Sequence, residues 1–428
     1  MRSRSINFKS LYFAFFLFFS GGWVFAQGET AQDEASHMEM EAQELLELFR
    51  TAPPAPMPTW AVAYPEAESA LPHSRALESY DPVTGDLSIT PADSSSAQAQ
   101  AARVGSQVPA LLRNADDGTY ESAWDQDFSA DGLDEELSGD PDPQACTAPT
   151  PSTLTHSAPW NTTYKLLMRF DSGGTDYYYV CSAASISDFH LLTAGHCIYN
   201  HDPNGDGNTA DARWANEVWA WAAQTDLVNP FMESTNDEDR PYGFAKATLL
   251  RSWTGWTSSA DLNHDLAVIV LDRRDGAHTG WMGRESGVTA ATLNFNGYPA
   301  ETPYVPSGEI RQYPGFDSGN VTSYTDFRIN MCAYTYGGHS GGPVWRYDGT
   351  NRYIQGVNST SNRVGSAAAT RITSGKMTTI ANFITEDESA RPPIARPDLA
   401  EYLFTTVDDR KDLLTNTVAQ GETFQVEY

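Results

Sequence analysis

The sequence predicts an all-β fold of antiparallel strands, a sandwich or a barrel, and three features predict it. Beyond Thr153, short runs rich in aromatic and β-branched residues recur. Clusters of Gly, Pro, Asn and Asp separate those runs, as tight connections between strands require. Only one stretch, Lys376 to Thr385, carries good helical patterning, and it closes the domain. In chain order the predicted strands are Tyr164 to Phe170, Tyr177 to Ile186, His190 to Thr193, Leu266 to Leu271, Thr292 to Asn296, Glu309 to Tyr313, Phe327 to Cys332, Pro343 to Arg346, Tyr353 to Asn358 and Ala367 to Ile372. The stretch His201 to Ala260 reads as an insertion rich in tryptophan (Trp214, Trp219, Trp221, Trp253, Trp256), residues expected to pack a core or a loop rather than form a carbohydrate platform.

The regions flanking this domain differ in composition. Arg2, Arg4 and Lys9 precede the apolar run Leu11 to Phe19, and Val24-Phe25-Ala26 offers small residues before Gln27, so 1–26 reads as an export signal rather than a membrane span. Residues 27–150 are rich in Ala, Ser, Pro and acids, with one helical candidate, Met38 to Phe49. Such a stretch buries little by itself and is expected to be largely disordered, either a removable pro-segment or a spacer. The formal net charge is −29, and 27–145 holds 24 acids against four arginines, so most of the acidity sits ahead of the strands. No basic stripe for nucleic acid and no polybasic membrane patch is present. After the domain, 151–390, Pro392 to Pro397 reads as a linker. The extension to Tyr428 has strand-like pieces, notably Glu422 to Tyr428, too short to close a sheet.

Four cysteines in an exported chain are expected to pair. Cys181 and Cys197 flank one predicted strand turn and close a small loop around a histidine; Cys146 and Cys332 are left to each other.

Three stretches carry chemistry. Tyr336-Gly337-Gly338-His339-Ser340-Gly341-Gly342-Pro343-Val344 sets a serine among glycines whose backbone N–H groups can converge on one point beside the hydroxyl, a place for an oxyanion. Leu191-Leu192-Thr193-Ala194-Gly195-His196-Cys197 puts a histidine at the end of an apolar strand, and His264-Asp265-Leu266-Ala267 puts an aspartate at the mouth of another. The chain order His, Asp, Ser is one of the known orders of the serine hydrolase triad.

These motifs resemble those of the trypsin-like (chymotrypsin-fold) serine peptidases, most of all the bacterial glutamyl endopeptidase branch. Thr193 to Cys197, Asp265-Leu266-Ala267 and Gly338 to Pro343 carry the resemblance, supported by Gly297-Tyr298-Pro299 and Thr335 to Gly338; it spans about Thr153 to Glu388. The resemblance implies two antiparallel six-stranded β-barrels with a catalytic cleft between them. It also implies catalytic roles for His196, Asp265 and Ser340, and an oxyanion hole from the N–H groups of Gly338 and Ser340. Three positions depart from the pattern. His339 stands where the trypsin branch has the aspartate that receives the new N-terminal amine on activation, so a switch of that kind is not expected. In the specificity pocket Tyr334 occupies the position where a preference for Lys or Arg needs an acid. Thr335 matches the glutamyl branch, but Asn358 replaces its histidine, so glutamate preference is half supported.

Asp202, Asn204 and Asp206 fit the opening of a calcium loop, but position twelve is Arg213, and a solvated acidic turn is the better reading. Calcium remains the one cofactor considered; no other cofactor is expected. His190, His201, His264 and His278 lack metal spacing and read as structural, with His264 expected on the opposite face of a strand from Asp265. Together the sequence predicts a secreted, monomeric serine endopeptidase made as a precursor and acting on proteins or peptides, with no nucleic-acid or membrane partner. The rival readings are a catalytically silent binding or adhesion module, which would be expected to lack a triad residue, and an esterase, whose usual elbow on a parallel sheet does not suit antiparallel strands.

Overall fold

The computed structural model describes residues 48, 51–91, 103–104, 112–113, 120–121, 146, 159–224, 242–287, 290–300, 313–349, 351–362 and 365–390. The predicted signal, nearly all of the helical candidate Met38 to Phe49, most of the predicted strand Glu309 to Tyr313, the linker Pro392 to Pro397 and the extension lie outside them.

Two β-rings form the body. The first is built from β3 (Thr163–Ser172), β4 (Thr175–Ser185), β5 (His190–Thr193), β6 (Glu217–Ala222), β7 (Ala245–Trp253) and β8 (Ala267–Leu271), and two strands, β1 (Leu77–Tyr80) and β2 (Leu87–Thr90), precede them in the chain. The strands run β6-β3-β4-β5-β8-β7, and Trp219–Lys246 and Ala220–Ala245 pair β6 with β7 to close the ring. The second uses β9 (Thr292–Gly297), β10 (Tyr313–Tyr324), β11 (Arg328–Cys332), β12 (Pro343–Tyr347), β13 (Arg352–Ser361) and β14 (Ala367–Arg371) in the order β12-β9-β10-β11-β14-β13, with β12 also paired to β13. Its β9–β12 seam consists of one pair, Asn294–Trp345, so this ring is the more open of the two.

Why the residues choose these strands follows from what covers them. Along β3, Tyr164, Leu166, Met168 and Phe170 fill the first core, while Leu167 on the other face joins Val180, Trp219 and Trp221 in a second cluster. With both faces covered, β3 and β8 read as nearly continuous apolar runs instead of alternating ones. The second ring has its own core, Leu293, Phe295, Ile329, Met331, Ala333, Val344, Ala367 and Ala369. Helix Ser374–Ala390 follows the second ring yet packs Met377, Ile380 and Phe383 into the first core, tying the two together. Among the described residues, no helix is long and apolar enough to cross a membrane.

Two sequence expectations change here. His201 to Ala260 is no insertion, because it supplies β6 and β7, a third of the first ring. The segment Glu217–Ala222 has no polar alternation to betray a strand: Val218, Ala220 and Ala222 face one core, and Trp219 and Trp221 face the other. All five tryptophans of the stretch are buried, as expected. The second change lies in the acidic segment, where residues 51–91 are ordered against the first ring. β1 pairs with the C-terminal half of β7, Leu77 opposite Trp253 through Tyr80 opposite Leu250, taking the edge that β6 leaves free; β2 pairs with β1. The segment gains its order from a surface that it does not itself build.

Both disulfides expected from the sequence are formed. Cys181–Cys197 joins Cα atoms 6.0 Å apart, and Cys146–Cys332 joins Cα atoms 5.1 Å apart.

Candidate active site

His196 is set by the end of β5. The chain leaves Thr193 extended through Ala194 and turns at once into the single helical turn Gly195–Ile198, which carries His196 and is tied back to β4 by Cys181–Cys197. Asp265 follows the 3₁₀ turn Leu262–His264 and precedes β8, which pairs with β5. The β5–β8 pairing therefore sets the two side chains together at one end of the first ring. His264 sits in that turn and not on a strand; it still faces away from Asp265, its Nε2 2.8 Å from the Ser69 carbonyl.

The Asp265 carboxylate is fully buried and every contact on it is a donor. Oδ1 accepts from the His196 backbone N–H at 2.8 Å; Oδ2 lies 2.9 Å from His196 Nδ1 and accepts the Ser359 hydroxyl at 2.7 Å. Burial works to raise this carboxyl, but the His196 charge and the hydrogen bonds from His196 and Ser359 outweigh it and hold the group below its usual range. An ionised carboxylate only accepts, so Nδ1 must carry the ring proton and the lone pair of a neutral His196 is left on Nε2. Trp256 packs edge-on against the imidazole, with centroids 6.1 Å apart.

The serine loop is clamped from both rings. Ser182 of β4 donates its backbone N–H to the Ser340 carbonyl at 2.8 Å and its hydroxyl to the Gly338 carbonyl at 2.7 Å, while that hydroxyl accepts from Tyr298 N–H at 2.7 Å. From β13, the Asn358 carbonyl accepts Gly341 N–H at 2.8 Å, and Asn358 N–H donates to Gly342 at 2.9 Å. Gly338 and Gly341 have φ of +97° and +80°, and a Cβ would drive the first into the Tyr298 carbonyl and the second into the Ser182 carbonyl and Thr193 hydroxyl. Only glycine fits there. The Ser340 carbonyl also lies 3.6 Å from Cys197 Sγ, one residue from His196. Among the described hydrogen bonds, Gly338 N–H and Ser340 N–H have no protein acceptor.

The pocket candidates are gathered beside this loop. Thr335 and Asn358 are buried, Tyr334 is half-buried, and neither atom of the Asn358 carboxamide has a partner. The Thr335 carbonyl accepts from Ser361 Oγ at 2.7 Å. Asp202, Asn204 and Asp206 share one turn, in which Asp202 accepts the N–H groups of Asp206 and Gly207, and Asn204 donates to Asp206 and Asp211. Their polar atoms serve the turn itself. His190 and His201 bind Asp387 and the Trp256 carbonyl, each at 2.9 Å. Cys181, His196 and Cys197 lie close enough to suggest a metal site, but both sulfurs are spent in the disulfide. Sequence reasoning missed Ser359 and Ser182, since a serine in a β-strand carries no signal until its neighbours across the sheets are known.

A family model described as Trypsin matches residues 152–384. The chain belongs to the trypsin family. Two relatives are 26% identical: a Bacillus subtilis protein named extracellular metalloprotease, over 196 residues (45% of this chain, 53% of that protein), and the glutamyl endopeptidase of Bacillus licheniformis, over 179 residues (41% and 48%). This trypsin-family chain thus spans about half the length of the curated relatives it matches. Among solved structures, a Glu endopeptidase in complex with MPD is 19% identical at a TM-score of 0.41, covering 56% of this chain and 98% of that one. The protease Anisep from Arthrobacter nicotinovorans is 20% identical at 0.39, covering 52% and 94%. Within this trypsin-family chain the His339 ring is buried in its own loop: Nδ1 takes the Tyr336 N–H at 3.0 Å, and the ring meets Phe295 edge-on.

Proposed function

We propose that this chain is an exported serine endopeptidase, made as a precursor, with Ser340 as nucleophile, His196 as general base and then acid, and Asp265 as the group that fixes the imidazole. The observation that carries the reading is the buried Asp265 carboxylate holding His196 Nδ1 while Ser359 and the His196 backbone satisfy its remaining lone pairs. In this reading His196 Nε2 takes the Ser340 proton as Oγ attacks the scissile carbonyl. The proton then passes to the leaving amine, and water repeats the sequence on the acyl-enzyme. The N–H groups of Gly338 and Ser340 receive the oxyanion, each contributing roughly 3–4 kcal/mol to the transition state. The basic start and apolar run ahead of Gln27 support export. Intact triad residues favour this reading over a silent binding module.

Ser340→Ala should lower turnover on casein by a factor on the order of 10⁶ with the thermal unfolding curve unchanged. Undiminished hydrolysis by that variant would remove Ser340 from the mechanism. For specificity, a buried carboxylate needs donors; Thr335 offers one hydroxyl and Asn358 a neutral amide, and neither Tyr334 nor Thr335 offers a negative partner to Lys or Arg. Glutamate before the scissile bond is therefore expected ahead of Lys and Arg by roughly tenfold, with neutral polar and aromatic residues accepted.

A further inference from the structure

The chain ahead of the barrels is fastened to the first ring at three successive places. Pro53 and Ala55 straddle Val180 of β4, the Pro53 carbonyl accepting Val180 N–H at 3.0 Å and Ala55 N–H donating to the Val180 carbonyl at 3.1 Å. Ala52 beside them enters the apolar cluster of Leu167, Trp219 and Trp221. Next, Tyr64 and Ser69 close on the turn that leads into Asp265. Asp261 Oδ1 accepts Tyr64 N–H at 3.1 Å, and Oδ2 accepts the Ser69 hydroxyl at 2.6 Å. Asn263 Nδ2 donates to the Tyr64 carbonyl and to Ser69 Oγ, both at 2.8 Å, and His264 Nε2 reaches the Ser69 carbonyl. Finally β1 extends the sheet along β7, with Tyr80 stacked on Trp214 at 5.8 Å.

The middle contact has the character of a core. Ser69 is 0% exposed, and Asp261, Asn263 and His264 are 2% or less; the Asp261 carboxylate, the Asn263 amide nitrogen and His264 Nε2 are each paired across the contact. A segment shed after use would leave β7 from Leu250 to Trp253 as a raw edge, the feature that sheet proteins take care to cover. Downstream, Cys146–Cys332 binds the chain once more before β3 begins.

We propose that residues 51–91 are a permanent part of the working molecule, held noncovalently as a light chain: the β7 edge and the Asp261–His264 turn form its dock, and the dock stays filled when the chain is cut downstream of it. Of the two expectations for 27–150, a removable pro-segment or a spacer, the proposal sets aside the first for these residues.

The test uses the full chain carrying Ser340→Ala, so that it cannot digest itself, with a site-specific protease recognition sequence inserted after Pro91. After cutting, size exclusion at micromolar concentration in native buffer should carry both pieces in one peak at one-to-one ratio. In denaturant without reductant they should separate, because Cys146 lies beyond the cut. Ser69→Ala with Asp261→Asn should weaken retention by at least tenfold; if that pair fails to fold before cutting, Ser69→Ala alone makes the comparison. Elution of the N-terminal piece by itself in native buffer, or retention as tight in the folded variant as in the parent, overturns the proposal. Because the readout is association in an inactive background, it stands or falls apart from the peptidase reading.

Discussion

Asp265 shows how much a single side chain depends on neighbours far away in sequence: its two oxygens take donors from residues 196 and 359. The motif around Asp265 was legible, and so were His196 and Ser340, because glycine-rich and cysteine-bearing contexts mark them. Ser359 was not legible, since only the β13–β14 packing against Leu262–His264 brings it within reach. If Asp265 fixes the His196 tautomer, Asp265→Asn should cost about 10⁴ in kcat while leaving KM within a few-fold, because an amide in that place stabilises the wrong imidazole tautomer. A loss under tenfold would mean that His196 is held by something else. Asn358 supplies the other residue-scale prediction. Its carboxamide is buried and unpartnered on both atoms, directly on the serine loop, so it awaits a group that its neighbours do not provide. Asn358→His should sharpen preference for glutamate before the scissile bond. Matched peptides ending in Glu, Gln and Arg decide it, and no gain for Glu in the variant, or faster cleavage after Arg than after Glu in the parent, would sink this pocket model.

At the scale of elements, strands with turn residues at both ends were legible to within two or three residues: His190–Thr193 is as predicted, and Thr292–Gly297 is one residue longer. Glu217–Ala222 escaped because burial on both faces removes the period of two, and Ala245–Trp253 because its burial pattern does not alternate either. Tyr313–Tyr324 escaped because Pro314, Gly315, Asp317, Ser318, Gly319 and Asn320 read as a turn cluster. Leu77–Tyr80 and Leu87–Thr90 escaped because they are laid on another element's surface, the outer strand with no buried face at all. The dock of that last segment carries a pH dependence. Burial, with the charges of Lys376 and Arg75, pushes His264 down to about 3 from 6.5, against the opposing hydrogen bond to Ser69. Its Nδ1 is buried with no acceptor, so a second proton there has nowhere to go. His201, also buried, is lowered to about 4. The unfolded chain therefore binds more protons than the folded one between these values and 6.5. The stabilising contribution is complete above about pH 6.5 and is lost as pH falls toward 3. Melting temperatures at pH 7, 5 and 4 should drop more steeply for the parent than for His264→Gln, whose amide can still donate to Ser69; parallel curves would show that this imidazole plays no part.

For the whole molecule the question is what makes the two rings behave as one body beyond the packing of Trp345, Ile354 and Val357 of the second ring into the first core. Two buried basic side chains of the second half reach into the turn that presents Asp265. Arg328 of β11 donates through Nη1 to the Leu262 carbonyl at 2.8 Å and to Ser359 and Thr370 hydroxyls at 3.0 Å, and through Nη2 to Thr360 at 2.9 Å. Lys376, at the start of the closing helix, donates to the Asn263 carbonyl at 2.5 Å. Burial lowers Arg328 to about 10, opposed by the nearby charges of Asp265 and Asp261, so the guanidinium remains charged at neutral pH. None of this was legible in the sequence, where Arg328 is one basic residue in a strand and no local pattern names a partner 66 positions away. Replacing it by methionine keeps the bulk and removes four hydrogen bonds, each worth about 1 kcal/mol, so a net loss of about 2–4 kcal/mol is expected. For a domain of this size that corresponds to a fall in melting temperature on the order of 10 °C. Because Arg328 also holds Ser359, which in turn holds Asp265, the same variant should lose kcat with little change in KM. Calorimetry and steady-state kinetics on Arg328→Met test both halves. An unchanged melting temperature would deny that this side chain couples the rings, and a lost melting temperature with full kcat would confine its role to stability.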